Sequence, residues 1–382
     1  MSLINLYYQF RSGVLDVVGH CRPLVRQFIR FLALPYCYFH MVDWKSCPKA
    51  RLQVAGDFAY LFFVLKHFPA NYSMHRLWEL ERKQWAYYFG SIYDPLQRFA
   101  IDRELLPKDN QILTSDKGLW HIMARSLEIP TPRYFGEIDP DDEFRERIYS
   151  LLNSENVPGL FIKPQRGAGG RNAVVARMVE GEVIITDAVD NARPLSKFTI
   201  NESCVIEEAI TQHSGISDIY SSSVNSIRFI TVLTRAKMVH EIGAMMKFGI
   251  GGSMIDNRSR GGIAVRIDLE GGVLSGNGIS MSGEIFESHP DSGIRFDGTC
   301  LPCWQEIREV AKETQRKFTF QKLLGQDIAL TPDGPVIMEL NSHPDTLGFE
   351  QVCGPLFRNR ETWEIFSEWD LLISRPVRQL YS

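Results

Sequence analysis

The sequence lacks long hydrophobic runs, paired cysteines and a strong excess of one charge. Its two most apolar windows, residues 28–44 and 54–68, are each interrupted by a charge or a proline and are too short to span a membrane. Seven cysteines are scattered along the chain, and the single Cys-x-x-Cys, from Cys300 to Cys303, has no second pair or His-x-x-His to complete a zinc site. No signal peptide is recognisable. The pattern predicts free thiols and a cytoplasmic location.

The charge balance gives no support to nucleic-acid binding, because the net charge is -4 and the pI is about 6.2. The charge is uneven, however. Residues 1–110 contain 14 Lys and Arg against 9 Asp and Glu. Two interpretations of this positive, aromatic-rich region stay open: it contacts an acidic partner or a membrane surface, or it is a helical domain docked on the acidic remainder of the chain.

The pattern of predicted secondary structure changes at about residue 111. Before it, amphipathic spacing predicts helices at 14–31, 56–68 and 77–89. After it, a helix begins near 114–116, another is predicted at 301–323, and short strands alternate with glycine-rich loops. We expect a small sheet from strands 160–163, 173–177, 183–188 and 204–207, and a second sheet from strands 226–234, 239–247, 262–267, 326–330 and 336–341.

These elements predict an α+β fold preceded by an all-helical extension. The 382 residues suffice for two or three domains. We divide the sequence into a helical domain at 1–110, a linker with a small lid subdomain at 111–208, and a catalytic core at 209–382.

Residues 326–341 are the most informative segment, because they predict a β-hairpin with acidic residues on one face. Two apolar runs flank Pro332, Asp333 and Gly334, which suits a three-residue loop with a left-handed glycine. With that loop, Asp327 pairs with Glu339 across the strands, and Asn341 lies on the same face. Two carboxylates and an amide oxygen suit Mg²⁺. Solvated carboxylates are the alternative, but the strands are otherwise apolar, and unpaired buried acids are costly.

A second signal follows strand 160–163, where Lys163 precedes a basic, glycine-rich loop containing Gly167, Gly169 and Gly170. Glycines let backbone N–H groups approach phosphate oxygens, and the lysine adds a charge. The loop lacks the Gly-Lys-Ser/Thr ending of a Walker A motif. A flexible turn is the alternative, and the acidic hairpin downstream favours phosphate binding.

Three further segments carry candidate polar groups. Residues 205–210 resemble a connector between sheets, able to offer backbone groups to an adenine edge and a carboxylate to ribose hydroxyls. Arg228 lies between apolar neighbours and needs an anionic partner, either a structural carboxylate or a transferred phosphoryl group. Asn257 and Arg260 lie on a loop whose chemistry suits a carboxylate or acyl phosphate, unless the loop is simply a solvated basic turn.

Two His-Pro-Asp triplets, at His289 and His343, lack a serine or cysteine arranged as a nucleophile. His343 follows the acidic strand by two residues, so it is the better candidate to approach a substrate. For His289 a structural turn is favoured.

Taken in order, these segments resemble the ATP-grasp superfamily, and in particular its sugar-transfer-associated branch. The similarity covers roughly residues 111–360, and ribosomal-protein glutamate ligases and D-alanine:D-alanine ligases are more distant relatives. The combination of motifs is specific although no single motif is. The matching motifs are Ser226-Ile-Arg-Phe, Gly251-Gly-Ser-Met-Ile-Asp-Asn, Gly261-Gly-Ile-Ala-Val-Arg-Ile-Asp, His289-Pro-Asp-Ser-Gly, Gln326-Asp-Ile-Ala and Glu339-Leu-Asn.

The resemblance implies two α+β domains that clasp ATP between sheets, and it assigns expected roles. Lys117 and Lys163 would contact the phosphates, and Gly167 to Gly170 would form a mobile flap. The adenosine would lie near Glu207, Glu208, Ala209 and Ile210, and Mg²⁺ would bind Asp327, Glu339 and Asn341.

One position departs from the family pattern. Many members have an arginine two residues before the first metal-binding aspartate, where this chain has Gly325. Arg228 and Arg260 are then the candidate cations for an acyl phosphate. If neither reaches the site, ligase activity itself is in doubt.

The resulting hypothesis is an ATP- and Mg²⁺-dependent ligase that joins a carboxylate to an amine or a thiol through an acyl phosphate. The carboxylate and amine substrates would be small molecules or linked to a glycan, and the family name suggests cell-surface glycan or peptide biosynthesis. The alternatives are a kinase that phosphorylates a hydroxyl and a non-catalytic ATP-binding scaffold. The sequence carries no information on oligomeric state.

Overall fold

Helices dominate both ends of the chain, and strands dominate its middle. The computed structural model describes residues 23–140, 143–167, 171–187 and 191–382. Its helices are α1 (Pro23–Leu32), α2 (Leu34–His40), α3 (Arg51–Ala59), α4 (Asn71–Met74), α5 (Pro95–Glu104), α6 (Ile112–Ser115), α7 (Lys117–Ser126), α8 (Phe144–Ser154), α9 (Ser214–Ser217), α10 (Trp304–Lys317), α11 (Thr346–Cys353), α12 (Arg360–Glu368) and α13 (Arg375–Arg378).

The strands form two antiparallel sheets. They are β1 (Tyr134–Ile138), β2 (Leu160–Pro164), β3 (Val174–Val179), β4 (Glu182–Asp187), β5 (Ala192–Pro194), β6 (Cys204–Glu208), β7 (Ile227–Leu233), β8 (Val239–Phe248), β9 (Ile263–Asp268), β10 (Val273–Ser280), β11 (Ile285–Phe286), β12 (Leu323–Thr331) and β13 (Gly334–Asn341).

The chain divides into two compact units. The first comprises Met1–Pro107, Thr234–Ala236 and His343–Ser382, and the second comprises Lys108–Leu233 and Lys237–Ser342. The division of the sequence at residues 110 and 208 stays a prediction. The observed units differ from it in grouping the last forty residues with the N-terminal helices.

The first unit is helical, with a core rich in aromatic side chains such as Tyr72 and Trp85, both of which are fully buried. Helix α11 forms hydrogen bonds with the segment that precedes α5. The Glu350 carboxylate accepts hydrogen bonds from the backbone N–H groups of Phe89 and Gly90, at 2.7 and 3.2 Å. No helix in the described part of the chain is both long and apolar enough to cross a membrane.

The helix predicted at 77–89 was wrong, because two short 3-10 turns, Leu77–Glu79 and Arg82–Tyr87, take its place. The Leu77 carbonyl accepts hydrogen bonds from the Leu80 N–H and from the buried indole Nε1 of Trp85. A regular α-helix would instead pair this carbonyl with the N–H of residue 81. Burial of the tryptophan therefore overrides the amphipathic pattern. The predicted helix at 14–31 begins outside the described residues, and its described end is α1.

In the second unit, the smaller sheet has the strand order β1-β6-β2-β3-β4-β5. The four strands expected from the sequence are present in it, and the edge strands β1 and β5 were missed. The end of the predicted strand 183–188 lies outside the described residues. One face packs on α8 through a core that includes Ile148, Leu160 and Ile206.

The larger sheet has the order β11-β10-β9-β8-β7-β12-β13. Its five predicted strands are present, and β10 and β11 were missed. Helix α10 packs against one face, where Ile307 and Ala311 join Ile328 and Ile337 in the core. The opposite face of β7, β12 and β13 is thereby left for polar side chains.

The helix predicted at 301–323 is shorter than expected. It ends at Lys317, and Leu323 belongs to β12. The buried amide of Gln315 donates hydrogen bonds to the carbonyls of Phe318 and Gln321, at 3.4 and 3.1 Å. This side chain satisfies backbone acceptors beyond the helix end and stabilises the turn into the strand.

Candidate functional site

The hairpin of β12 and β13 places Asp327 directly opposite Glu339, as predicted. The predicted three-residue loop was wrong, because Thr331 pairs with Gly334 and leaves only two residues in the loop. The register then shifts by one residue between Asp327 and Ile328, where Met338 has no partner. A β-bulge thus supplies in the strand the extra residue expected in the loop. Gly334 has the expected positive φ, 121°.

Asp327 is the centre of a buried ionic cluster. Arg228, its direct neighbour on β7, donates from Nε and Nη2 to the two carboxylate oxygens, at 2.7 and 2.9 Å. Lys247 on β8 contributes Nζ at 3.1 Å from Oδ1. Burial opposes ionisation of Asp327, but the attraction of Arg228 and Lys247 outweighs it, and the pKa of Asp327 lies well below its ordinary value.

Lys247 was not among the predicted site residues. It lies near the end of a strand, as Lys163 does, and a glycine-rich loop at 249–262 that also contains Arg258 and Arg260 follows it. The sequence therefore carried the same kind of signal at Lys247 as at Lys163, and it was overlooked. Its ammonium group lies between two acids, because Asp256 Oδ2 is 3.8 Å away on the other side.

Glu339 is half-buried and makes no hydrogen bond or ion pair with the residues that the structure describes. Burial raises the pKa of its carboxyl group above the ordinary value, while the charges of Lys163 and Lys117 oppose the rise. A buried carboxylate without a bonded partner is suited to receive a cation. This environment fits the metal-ligand role predicted for Glu339.

Asn341 lies on the same side of the hairpin, and its Nδ2 donates to Asp327 Oδ2 at 3.3 Å. Its amide oxygen accepts no hydrogen bond from the described residues. The oxygens of Glu339 and Asn341 therefore fit a Mg²⁺ ion, whereas Asp327 already contacts two cationic side chains. Within the described ranges, no cluster of three or more His, Cys, Asp or Glu residues suits a metal ion. The three-residue metal site stays a prediction.

Lys163, at the end of β2, pairs with buried Glu207 of β6 at 2.6 Å. His121 of α7 contacts the same Oε1 atom through Nε2 at 2.5 Å and stacks on Tyr134. Burial opposes ionisation of Glu207, but Lys163 and His121 outweigh it and lower the pKa of its carboxyl group. His121 was missed, because a lone histidine within a helix carries no sequence signal.

Lys117 begins α7 beside the glycine-rich loop. Asp116 caps this helix by accepting from the N–H groups of Gly118 and Leu119, both at 3.1 Å. Lys117 Nζ donates to the Gly167 carbonyl at 2.9 Å. Burial lowers the pKa of Lys117 from its ordinary value. The remaining loop glycines predicted to bind nucleotide, Gly169 and Gly170, lie outside the described residues.

The sequence profile described as sugar-transfer associated ATP-grasp matches residues 98–362, more than half of the chain. The chain belongs to the sugar-transfer associated ATP-grasp family. Its two-sheet α+β architecture is the ATP-grasp fold, preceded by a helical region. A comparison with curated proteins gave no match.

Several solved structures resemble the chain in fold. D-alanyl-alanine synthetase A from Vibrio cholerae has 10% sequence identity and a TM-score of 0.39, over 70% of this chain and 65% of that one. D-alanine–D-alanine ligase from Bacillus anthracis has 12% identity and a TM-score of 0.37, over 70% and 68%. Phosphoribosylamine–glycine ligase from Thermotoga maritima has 11% identity and a TM-score of 0.42, over 70% and 56%. The chain thus spans less than two thirds of the first and third of these proteins.

In this ATP-grasp chain, backbone N–H groups that follow Glu207 already donate hydrogen bonds to other segments of the chain. The N–H of Glu208 donates to the Arg133 carbonyl at 2.8 Å, and that of Ala209 donates to Gly159 at 2.9 Å. Ile210 makes no hydrogen bond with the part of the chain that the structure describes. Contact of these residues with adenosine stays a prediction.

The loop between β8 and β9 reaches the ionic cluster through Asp256, which was not predicted. Its Oδ2 accepts from the N–H and hydroxyl of Ser226, at 2.8 and 2.5 Å, and burial raises the pKa of its carboxyl group. Asn257 caps the turn by accepting from Ser259. Arg260 is exposed, and its side chain makes no hydrogen bond or ion pair with the residues that the structure describes. The catalytic roles expected of Asn257 and Arg260 remain untested predictions.

The two histidine triplets have different environments. His289 is fully buried, with Nε2 2.9 Å from the Gly249 carbonyl and Nδ1 accepting from the N–H of Asp291, which confirms a structural turn. His343 belongs to the helical unit, where its Nε2 lies 2.8 Å from Asp102 Oδ1. Contact of His343 with a substrate stays a prediction.

Proposed function

We propose that this ATP-grasp protein is an ADP-forming ligase that joins a carboxylate to an amine or a thiol. The observation that carries the proposal is the environment of Glu339, whose carboxylate has no bonded partner among the described residues and feels the charges of Lys117, Lys163, Arg228 and Asp327. Lys163 of the smaller sheet and Arg228 of the larger sheet both favour the ionised form of this carboxylate, which supports a role in binding a metal ion. Such an arrangement suits a polyphosphate bound together with a divalent ion.

The side chains divide the work by position. Lys117 and Lys163 would bind the phosphate oxygens of ATP, and Glu339 and Asn341 would bind Mg²⁺. When bound, Mg²⁺ supplies positive charge against the phosphates. Arg228 and Lys247 contact Asp327, which lies opposite Glu339 in the hairpin, and they would stabilise negative charge on the transferred phosphoryl group.

In the proposed reaction, a substrate carboxylate oxygen forms a bond to the γ-phosphorus, and the bond from that phosphorus to the β,γ-bridging oxygen breaks to release ADP. The amine or thiol then bonds to the carbonyl carbon of the acyl phosphate, inorganic phosphate leaves, and the nucleophile loses its proton. No covalent bond to a side chain is required. Positioning and charge stabilisation account for the rate.

The experiment combines the full chain and Mg-ATP with panels of acids and amines, and it follows ADP and phosphate. We expect ADP and phosphate to appear only when an acid and a nucleophile are both present. Release of AMP and pyrophosphate would point to adenylation and defeat the mechanism. A stable phosphorylated hydroxyl product formed without an amine would identify a kinase instead.

Glu339→Gln tests the site itself. We expect turnover to fall by at least about a hundredfold, because the neutral amide cannot bind the divalent ion as the carboxylate does. Asp333→Asn is the matched control, since it removes a carboxylate from the exposed loop of the same hairpin. Equal activity of Glu339→Gln and Asp333→Asn, with unchanged thermal unfolding, would rule out the proposed metal site.

A further inference from the structure

Exposed apolar side chains are concentrated at the start of the helical unit. Of the 17 large hydrophobic residues that are exposed in the described part of the chain, 9 lie between residues 25 and 64. We call these nine the apolar face: Val25, Phe28, Phe31, Leu32, Tyr36, Phe39, Leu52, Phe63 and Val64. An exposed apolar patch usually marks a site of interaction with a protein or a membrane.

The outward direction of these side chains is fixed by packing on the other side of the helices. In α2, Cys37 is buried, whereas Phe39 is 61% exposed. In α1, Arg30 turns inward, with its guanidinium 4.4 Å from the Phe68 ring centroid, whereas Phe28 is 60% exposed. Rotation of either helix to hide its phenylalanine would expose these inward contacts. The apolar face is therefore a stable surface of the unit.

The apolar face extends from α1 to the neighbouring helical segment. The ring centroids of Phe31 and Phe63 are 6.0 Å apart, and Phe63 lies in the π-helical segment Tyr60–Leu65. Phe63 is itself 53% exposed. Two helical segments thus contribute to one aromatic surface, which is wider than the stripe of a single helix.

The charge of the same region is positive. Residues 23–66 contain six Lys and Arg and two Asp. One of the two acids, Asp57, is buried and paired with Lys49 and Arg82, at 2.7 and 2.8 Å. Asp43 is the remaining acid, and it is exposed. The segment that contains the apolar face therefore has an excess of positive charge, and Asp43 is its only exposed acid.

We propose that the apolar face docks on an anionic lipid bilayer. Aromatic and aliphatic side chains enter the boundary between head groups and acyl chains, and the surrounding basic side chains attract anionic head groups. A second copy of the chain fits less well, because a symmetric contact would bring two positive surfaces together. This inference is independent of the proposed ligase activity, since it concerns a surface of the helical unit alone.

The test is co-sedimentation of the full chain with vesicles of phosphatidylcholine, with and without phosphatidylglycerol. We expect binding to the anionic vesicles that weakens as NaCl is raised, because salt screens the head-group charge. The double variant Phe28→Gln/Phe39→Gln should bind about tenfold more weakly or worse. Ile285→Gln, at an equally exposed residue of the other unit, should bind like the unmodified chain.

Equal binding of the unmodified chain to both kinds of vesicle would overturn the proposal, and so would unchanged binding of the double variant. If the unmodified chain does not bind vesicles but sediments as a dimer, and the double variant sediments as a monomer, the apolar face is a subunit interface instead. Thermal unfolding of the variants verifies that folding is intact. Both phenylalanines are exposed, so we expect little change in unfolding temperature.

Discussion

Asp327 shows how a single residue carries both structure and proposed function. Its two oxygens contact Arg228 and Lys247, so the acid is satisfied before any ligand is present. Removing one partner from a buried ion pair leaves an uncompensated charge. The cluster therefore belongs to the stability of the sheet as well as to the site.

We predict that Arg228→Met lowers the free energy of unfolding by about 2 to 3 kcal/mol, because Asp327 stays buried with Lys247 as its remaining cation. Urea unfolding measures the loss. Arg308→Met is the matched control, because Arg308 forms a similar two-bond pair with Glu241 in a more exposed place. We expect the control to lose about 1 kcal/mol. Equal losses would contradict a special role for burial at Asp327.

At the scale of single residues, the sequence pointed to candidate site residues only where they belong to a recognisable pattern. Asp327, Glu339 and Lys163 were found because strand alternation or a glycine-rich loop marks them. Lys247, Asp256 and His121 were missed. Each meets its partners through tertiary contacts between distant segments, and neither composition nor spacing encodes those contacts.

Among the elements, the β12–β13 hairpin keeps its predicted register because a bulge in β13 offsets a loop that is one residue shorter than predicted. Ile337 and Leu340 both lie in the core although three positions separate them, because the bulge at Met338 interrupts the alternation. Without the bulge, the two-residue loop would pair Glu339 with Gln326 on the core face. The prediction placed the extra residue in the loop, which likewise pairs Glu339 with Asp327.

This geometry gives a deletion experiment. Deleting Met338 should leave Glu339 opposite Asp327 in a regular hairpin, so we predict that any ATP turnover persists within about tenfold. Deleting Leu340 should move Asn341 onto the core face and abolish turnover. ADP release and thermal unfolding of the two variants provide the comparison. A folded Met338 deletion without activity would mean that the bulge itself directs the Glu339 side chain.

Across the whole molecule, the fold class and nine of the strands could be predicted, whereas β1, β5, β10 and β11 could not. Strands such as β7 and β12 are nearly continuous apolar runs. Strand β10 contains two glycines, two serines and an asparagine, and β5 and β11 have three and two residues. Such strands are defined by pairing with a neighbour and not by their own pattern.

The helical unit contains a buried acid that should make stability depend on pH. Burial raises the pKa of Glu350 to about 8, although three backbone N–H groups, from Phe89, Gly90 and Leu356, favour its ionised form. The folded protein then keeps a proton that the unfolded chain releases near the ordinary value of 4.5. The stabilisation is complete below that value and is lost as the pH rises through about 8.

We predict that Glu350→Gln removes this dependence. Relative to the unmodified protein, the variant should gain stability as the pH rises, by at most about 1.4 kcal/mol per pH unit. Unfolding of both proteins by urea from about pH 5 to about pH 9 measures the difference. Parallel curves would show that Glu350 is ionised in the folded state throughout.

The ammonium group of Lys163 is already paired with the buried carboxylate of Glu207. An anionic ligand must share the ammonium group with the Glu207 carboxylate, so an anion of low charge gains little free energy by binding there. A polyphosphate that also reaches other cations competes far better. We therefore expect the Lys163–Glu207 pair to discriminate by valence, accepting a nucleoside triphosphate while allowing a smaller phosphate product to depart.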